Sequence, residues 1–204
     1  MDIEIIKNLA YELMKDRKAQ PDREKGYIYY HGERVSKLAI GLRKRLFPDD
    51  CSHDEHIIAA SVFHDIGKGF NPHEKYGAVV IKDILREFCS ESDIEIIAEL
   101  IGLHQGPRQD PNVSDYARII QDADILDRMG TMQIWLNFCD SASKDFTVRH
   151  NLDFYNNEFS NYAKDLRDIL NYRLSEEIFD EKVNYMMAFI ERLNIEAEGG
   201  ICLP

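Results

Sequence analysis

Four of the seven histidines lie at the end of an apolar helical stripe, where an imidazole would face the protein interior. His31 and His73 each precede such a stripe, with apolar or small residues following at helical spacing. His64 and His104 each follow one. Taken singly, each position is typical of a hydrogen-bonded core histidine. Because every buried imidazole needs a partner, a shared metal ion would satisfy all four side chains together.

The segment ARIIQDADILDRMG, residues 117–130, supplies carboxylates for such an ion. If this segment is helical, Asp124 lies beside the apolar stripe and is the best candidate for an inward ligand. Asp122 points about 200° away from Asp124 on a helix. A solvated acidic face is the alternative interpretation for Asp122 and Asp127. The spacing of Arg128 predicts a local salt bridge to Asp124.

The stretch SVFHDIGKG, residues 61–69, places Asp65 beside His64 where an apolar helix gives way to glycines. Gly67 and Gly69 permit close backbone approach or positive φ, although a plain helix end explains them equally well. Imidazole and carboxylate donors without thiolate suit manganese, iron, cobalt, nickel or zinc, and we favour manganese or iron. Such an ion lowers the pKa of bound water from about 15.7 towards ~7.

The elements that would position these side chains are helices, and strand-like alternation is almost absent. The sequence predicts helices at about 2–16, 31–46, 53–64, 72–88, 93–104, 115–128, 130–141, 154–172 and 175–194. Loops are expected near 105–113 and 143–152. Ser52 with Glu55, and Ser92 with Glu95, fit the capping box, and Asn71-Pro72 offers a cap with a first-turn proline.

Composition narrows the class of protein. The chain of 204 residues is 44% hydrophobic and 30% charged, which predicts one globular domain. A net charge of −12 opposes nonspecific binding to nucleic acid. No apolar run reaches membrane-spanning length and the first residues do not resemble a secretion signal, so we expect a cytoplasmic protein. The four cysteines form no C-x-x-C pair, which favours reduced thiols.

His31, the His64-Asp65 pair and Asp124 resemble the H…HD…D signature of the HD superfamily of metal-dependent phosphohydrolases. The local stretches HGERV, HDIGKG and DADILDRMG each resemble HD-family patterns, in order and at reasonable separations. DADILDRMG is especially similar to the D-A-D-R-L-D-A-x-G segment of small bacterial HD hydrolases, some of which cleave nucleoside triphosphates to monophosphate and pyrophosphate. LSEEIFDEKVNYMMAFIERL resembles the terminal helix of that subgroup. The resemblance covers about residues 27–194.

This resemblance implies an all-α, single-domain HD-type bundle over residues 1–204 with a metal site in its centre. Its core would span about 27–142 and its C-terminal helices about 154–194. One divalent ion would be held by His31, His64, Asp65 and Asp124.

HEKYGAVVI resembles the H-P-E-x-G-A segment of dinuclear HD proteins, and His104 falls where those proteins carry another ligand. A second ion bound by His73 and His104 and bridged by Asp65 is therefore compatible with the sequence, giving one or two ions per chain. Gln105 replaces the second histidine of the H-H-E element, and no G-Y-P follows. Both departures disfavour a cyclic-dinucleotide phosphodiesterase.

The activity implied is a metal-dependent hydrolase of phosphoester or phosphoanhydride bonds in a nucleotide or similar small phosphate compound. Asp65, Lys68 and Asp127 are the candidate catalytic residues, and Arg34 and Lys68 the candidate phosphate-binding cations. Some nucleotidases of the superfamily have glutamate in place of Lys68. Asp127 could orient a ligand, accept a proton or be exposed. Arg34 could pair with a carboxylate of the site or with phosphate.

Two other functions fit the same ligands: an HD-fold di-iron oxygenase, and a regulatory module that binds metal and nucleotide without turnover. We expect no membrane partner and no stable nucleic-acid binding, and a homo-oligomer is compatible with the sequence. Trp135 is predicted to lie in the core, and a platform that stacks on a base is the alternative. The aromatic run at 27–30 either walls the pocket or packs. Surface positions are predicted for His53, His56 and His150.

Overall fold

Helices are the regular elements of this chain. The computed structural model describes residues 1–201, and within that range it has ten helices and no strand. They are α1 (Ile3–Met14), α2 (Tyr27–Leu46), α3 (Asp54–Phe63), α4 (His73–Leu85), α5 (Glu91–Leu103), α6 (Asp115–Asp127), α7 (Thr131–Ser143), α8 (Val148–Asn157), α9 (Phe159–Asp168) and α10 (Arg173–Ala197). The predicted all-α class is confirmed.

Side-chain caps begin four of the ten helices in residues 1–201, which are α1, α5, α6 and α8. The cap predicted at Asn71-Pro72 is wrong, because Pro72 itself is the N-cap residue of α4 and no side chain caps that helix. Ser90 caps α5, because its hydroxyl accepts a hydrogen bond from the amide of Asp93. The capping box predicted at Ser92 is therefore wrong. The box at Ser52 is also wrong, since the Ser52 hydroxyl bonds to Asp50 at 2.6 Å and α3 begins without a side-chain cap.

Several predicted boundaries differ from the observed ones, and three of the differences change how an element is described. α2 begins at Tyr27 instead of 31, which brings the aromatic run into its first turn. The predicted helix at 154–172 is two helices, because the backbone departs from ideal helical geometry at Glu158 (φ −115°). The predicted loop at 143–152 contains the start of α8, where the Thr147 hydroxyl accepts from the amide of His150.

The helices that carry the histidines pack against one another at close range. α2 lies against α3 and α6, and α4 lies against α5. Gly32 of α2 faces the carbonyl of Val62 so closely that a Cβ atom would lie 2.5 Å from that oxygen. Only glycine allows this approach, and it brings the residue before it, His31, next to the end of α3. The buried core lies between these helices, with Val35, Ile57 and Ile101 fully covered.

The C-terminal helices are joined to this core through α6. Asp122 is fully buried and accepts hydrogen bonds from the amides of Asn171 (2.9 Å) and Tyr172 (3.2 Å), just before α10. Asp122 therefore points away from Asp124, as predicted, but into protein and not into solvent. Trp135 is 52% exposed, so its predicted core position is wrong.

Cys51, Cys89 and Cys139 are free thiols, and Cys202 lies outside the described residues. Within residues 1–201, no helix combines the length and the apolar character needed to cross a membrane.

Candidate metal centre

His31 projects from the second turn of α2 and contacts a carboxylate with each ring nitrogen. Its Nδ1 lies 2.7 Å from Oδ2 of Asp127, and its Nε2 lies 3.1 Å from Oδ1 of Asp124. Arg34, one turn further along α2, donates to both oxygens of Asp127 at 2.8 and 3.0 Å. Asp127 is buried, so the solvated alternative is wrong for this residue too. One side of the His31 ring is thus fixed by Asp127, and Nε2 is directed towards Asp124.

His64 follows α3 directly and is almost fully buried. Its Nδ1 donates to the carbonyl of Ser61 at 2.7 Å, which leaves the lone pair on Nε2. Nε2 is buried and has no hydrogen-bond partner. The nearest carboxylate oxygens are Oδ1 of Asp65 at 3.7 Å and Oδ1 of Asp124 at 3.8 Å. An unpartnered buried nitrogen aimed at two carboxylates is the arrangement expected of a metal ligand.

Asp124 of α6 closes this first group of side chains. Its Oδ2 accepts from Arg128 at 3.0 Å, the i,i+4 pair that the spacing predicts. Gln105 donates to the same oxygen at 3.4 Å. Oδ1 is the atom that faces the imidazoles of His31 and His64.

A second group of side chains shares Asp65 with the first. His73 begins α4 and places Nε2 3.2 Å from Oδ1 of Asp65. His104, directly after α5, donates its Nδ1 to the carbonyl of Ile101 at 2.7 Å, the same arrangement as in His64. Nε2 of His104 lies 3.1 Å from Nε2 of His73 and 3.8 Å from Oδ1 of Asp65.

Both groups have the dimensions of a metal site. Three ligand atoms lie within 4.8 Å of one another in each of two sets, His31–His64–Asp65 and Asp65–His73–His104. The donors are imidazole nitrogen and carboxylate oxygen, which suit divalent transition metals. The unpartnered Nε2 of His64 fits a cation bound here. The six side chains that the sequence singled out as ligands are therefore brought together by five helices and the residues that directly follow them.

Lys68 lies at the edge of the second group. Its Nζ is 3.2 Å from Oδ1 of Asp65 and 3.3 Å from Nε2 of His73. Gly67 makes this arrangement possible, because a Cβ at that position would collide with the carbonyl oxygen of His73. Close backbone approach, one of the two interpretations of this glycine, is confirmed. Gly69 has φ +103° and no atom within 4 Å of a Cβ position.

Burial and charge act on these groups in opposite directions. Burial opposes the charged form of His31, but its bonds to Asp124 and Asp127 outweigh this and raise its pKa to about 9. Burial lowers the pKa of His64, and it lowers the pKa of His104 to about 3. Burial would raise the pKa of Asp65, yet the neighbouring imidazoles and Lys68 hold it below its usual value. Burial would likewise raise the pKa of Asp124, but Arg128 and the imidazoles hold it below its usual value, so both carboxylates are ionised, as ligands must be.

A cavity of about 110 Å³ opens onto the centre. The cavity is lined by three side chains of the centre, His31, Asp65 and Asp124. Three cations, Arg23, Lys68 and Arg128, also line it. Tyr27 forms part of the wall and stacks on His31, with ring centroids 5.6 Å apart. Of the aromatic run at 27–30, Tyr27 therefore forms part of the pocket wall, as one of the two interpretations predicted, whereas Tyr30 is exposed.

Gln20 and Arg23 line the same cavity from the segment between α1 and α2, and neither was predicted from the sequence. That segment has no helical periodicity, so no pattern pointed to them. Of the three histidines assigned to the surface, His150 is exposed. His53 and His56 are half-buried, and Nε2 of His56 lies 2.9 Å from Asp93.

Known protein families and solved structures are similar to this chain. The profile of the family described as HD domain matches residues 28–129. The chain is 26% identical over 194 residues to YpgQ of Bacillus subtilis, covering 87% of this chain and 88% of YpgQ.

Among solved structures, the chain is similar to an HD-superfamily hydrolase from Bacillus thuringiensis (TM-score 0.67, 23% identity, 96% of each chain). It is also similar to Bacillus subtilis YpgQ in complex with ADP (TM-score 0.65, 17% identity, 94% of this chain and 92% of that one). At these identities the likeness shows a shared fold. The family profile spans half of the chain and includes His31, His64, Asp65 and Asp124. The chain therefore belongs to the HD domain family.

Proposed function

We propose that this HD-domain protein is a metal-dependent hydrolase that cleaves a phosphoester or phosphoanhydride bond of a nucleotide or similar small phosphate compound. The observation that carries the proposal is the position of Asp65. One of its oxygens, Oδ1, lies 3.7 Å from Nε2 of His64, 3.2 Å from that of His73 and 3.8 Å from that of His104. A carboxylate between two sets of imidazoles can be a ligand of two neighbouring cations.

HD domains bind divalent metals, and the side chains here fit such ions. We assign the first ion to His31, His64, Asp65 and Asp124 and the second to Asp65, His73 and His104. A bound divalent ion would supply a nucleophilic water at neutral pH and neutralise charge on a phosphoryl oxygen. Manganese or iron is favoured, and the donors also suit cobalt, nickel and zinc.

Lys68 is the residue we assign to substrate phosphate. Its ammonium already contacts Asp65 at 3.2 Å, so an anion placed between the metal ligands and the cavity meets this charge. Arg128, also on the cavity wall, keeps a fixed direction because its guanidinium is bound to Asp124. Together they hold an anionic group against the centre.

Asp127 and Arg34 have a different role in this proposal. Both oxygens of Asp127 are occupied, by His31 Nδ1 and by the guanidinium of Arg34. A carboxylate bound in this way orients the imidazole and strengthens it as a ligand. We therefore assign Asp127 to the positioning of His31, and Arg34 to the positioning of Asp127 and not to phosphate.

A nucleotide is the favoured substrate for two reasons. YpgQ, which shares the fold and is 26% identical, has been solved in complex with ADP. The cavity of this chain presents three cations, Arg23, Lys68 and Arg128, to a ligand. A phosphate chain would match that charge despite the acidic composition of the whole protein.

The test is turnover by purified protein whose metal content has been determined by elemental analysis. Protein loaded with Mn²⁺ should release phosphate or pyrophosphate from members of a nucleotide and phosphoester panel, and Asp65→Asn should abolish release. Asp140→Asn on α7 is the matched control, because within residues 1–201 the Asp140 carboxylate is bound only by Lys144. No release from any compound would overturn the proposal.

Two specific results would replace the proposal with another function. Two irons per chain together with substrate-dependent oxygen uptake would assign an oxygenase. Nucleotide binding that raises the melting temperature without any cleavage would assign a regulatory module.

A further inference from the structure

The segment between α1 and α2, residues 15–26, lies over the edge of the candidate centre. Gln20 and Arg23 of this segment line the cavity beside Asp65 and Lys68. It has no regular secondary structure of its own, so its position depends on side-chain contacts. Arg17 makes the contact that joins it to the metal-binding turn.

The guanidinium of Arg17 donates to two carbonyl groups of the turn after α3. Nη1 lies 2.8 Å from the carbonyl oxygen of Ile66, and Nη2 lies 2.9 Å from that of Lys68. The two carbonyls flank Gly67, the residue pressed against the backbone of His73. A planar guanidinium can donate to two such acceptors with fixed geometry, whereas an ammonium group is a compact point charge without that fixed pair of donors.

These carbonyls need a partner from outside the turn. The backbone closes the turn through the amides of Ile66 and Lys68, which donate to Phe63 (2.8 Å) and Asp65 (2.9 Å). Across residues 1–201, no backbone amide outside the regular helices donates to the carbonyl of Ile66 or Lys68. Arg17 therefore supplies hydrogen bonds that the irregular backbone lacks.

Arg17 also has no carboxylate partner in an ion pair within the described part of the chain. Its guanidinium is half-buried, and burial lowers its pKa, while the charge of Asp65 acts in the opposite direction. Burying a charge without an ion pair is costly unless hydrogen bonds compensate. The two carbonyl bonds provide that compensation and tie the cation to this turn.

We propose that Arg17 is a positioning residue: its guanidinium clamps the carbonyls of Ile66 and Lys68 and so fixes the turn that carries Asp65 and Lys68. The residue lies outside positions 28–129, which the HD domain profile matches, so the clamp is an addition from the preceding segment. The expected effect of Arg17 on turnover rests on the proposed function. Its expected effect on the structure of the turn is independent of that function.

The experiment compares wild type with Arg17→Ala, Arg17→Gln and Arg17→Lys. Three quantities are measured: amide hydrogen exchange over residues 64–70, Mn²⁺ affinity by calorimetry, and kcat and KM on whichever nucleotide the wild type cleaves. Lys18→Ala is the matched control, because Lys18 is the next residue and is exposed, and its one hydrogen bond within residues 1–201 is to the carbonyl of Pro21 at 3.4 Å.

Loss of the clamp should accelerate exchange in residues 64–70 and in the segment 15–26, while α9 and α10 keep wild-type exchange. Mn²⁺ affinity should fall about 10-fold. The value of kcat should fall about 10-fold or more with a smaller change in KM, because the reacting groups are misplaced and not removed. Arg17→Lys should recover only part of each loss, and Lys18→Ala should match wild type.

Wild-type exchange and Mn²⁺ affinity in Arg17→Ala and Arg17→Gln would overturn the clamp. Exchange that rises equally throughout the chain would overturn it too, since that result assigns a general stabilising role. If Arg17→Ala does not fold, the Gln and Lys variants decide by the same two measurements. A loosened turn in a protein that cleaves no compound would leave the clamp standing and remove the proposed function.

Discussion

Oδ2 of Asp127 lies 2.7 Å from Nδ1 of His31, so a buried carboxylate on α6 fixes an imidazole on α2. The other ring nitrogen of His31 faces Asp124 and the candidate metal centre. Burial alone would raise the pKa of Asp127, but His31 and Arg34 hold it below its usual value. The carboxylate is therefore ionised and able to polarise the ring.

Replacing Asp127 with asparagine should weaken metal binding without unfolding the protein. The amide keeps the shape of the side chain but removes the charge that orients and polarises His31. Outer partners of ligating histidines typically contribute about 10- to 100-fold in affinity, and we expect Asp127→Asn to lose Mn²⁺ affinity in that range. Titration calorimetry measures it. Asp140→Asn is the control, and an affinity equal to wild type in Asp127→Asn would contradict the assignment.

Exchanging Arg34 for lysine tests whether this cation serves the carboxylate or the substrate. Its Nε and Nη2 atoms both bind Asp127, a two-point contact that an ammonium cannot reproduce. Arg34→Lys should therefore lower Mn²⁺ affinity and kcat, each by about 10-fold, with KM nearly unchanged. Steady-state kinetics at saturating metal separate the two parameters. A rise in KM alone would return Arg34 to the phosphate-binding role.

The helices that carry the candidate ligands were predicted well from the sequence, because burial follows helical spacing. His64 and His104 were placed at the ends of inward stripes, and both lie there with Nδ1 bonded to the carbonyl three residues earlier. That local bond is a consequence of helix geometry. The direction of Nε2, and thus the convergence on one centre, follows from it.

Contacts between distant segments could not be predicted in the same way. Arg17 meets Ile66 and Lys68 across 49 and 51 positions, with no periodicity to indicate it. Trp135 lies in a strongly apolar stretch, IWLNF, yet is 52% exposed, because helical spacing does not say which faces of α7 find a partner. The separation of α8 from α9 at Glu158 likewise has no glycine or proline to mark it.

Gly67 and Gly41 should respond in opposite directions to alanine. A Cβ at Gly67 would collide with the carbonyl of His73, so Gly67→Ala should destabilise the fold by about 1–3 kcal/mol. At Gly41, inside α2, the nearest atom to a Cβ is Nη1 of Arg45 at 3.6 Å, and Gly41→Ala should stabilise by about 0.5–1 kcal/mol. Urea unfolding measures both. If both variants changed the free energy of unfolding by the same amount and in the same direction, this result would contradict the close approach at Gly67.

Asp122 should prove structural, in contrast to Asp124 two residues later. It accepts from the backbone amides of Asn171 and Tyr172 and from the Asn171 side chain at 2.8 Å. Asp122→Asn should cost about 1–3 kcal/mol for each donor left unsatisfied, with Mn²⁺ affinity unchanged. Asp168→Asn, an exposed carboxylate bound by Lys164, should change stability by less than about 0.5 kcal/mol. Weakened metal binding in Asp122→Asn would contradict this division of roles.

Tyr155 should make the stability of the fold fall at alkaline pH. The residue is 2% exposed, its hydroxyl accepts a hydrogen bond from Asn137 at 2.8 Å, and burial raises the pKa of the hydroxyl to about 12. An unfolded tyrosine loses its proton near pH ~10, so between about pH 10 and 12 the unfolded chain binds fewer protons than the native one. Stability must then decrease as pH rises through this window, by up to about 2–3 kcal/mol.

The variant Tyr155→Phe removes this titration. At neutral pH the variant should be less stable than wild type, because the side-chain amide of Asn137 loses its hydrogen-bond partner. As pH rises from ~10 towards 12, the stability of the variant relative to wild type should increase by about 2–3 kcal/mol. Urea midpoints measured at several pH values give the difference. Tyr185→Phe, at a 61% exposed position, is the control and should show a constant offset from wild type. A constant offset for Tyr155→Phe as well would contradict the role of burial, because a hydroxyl free to ionise in the native state contributes no pH dependence to unfolding.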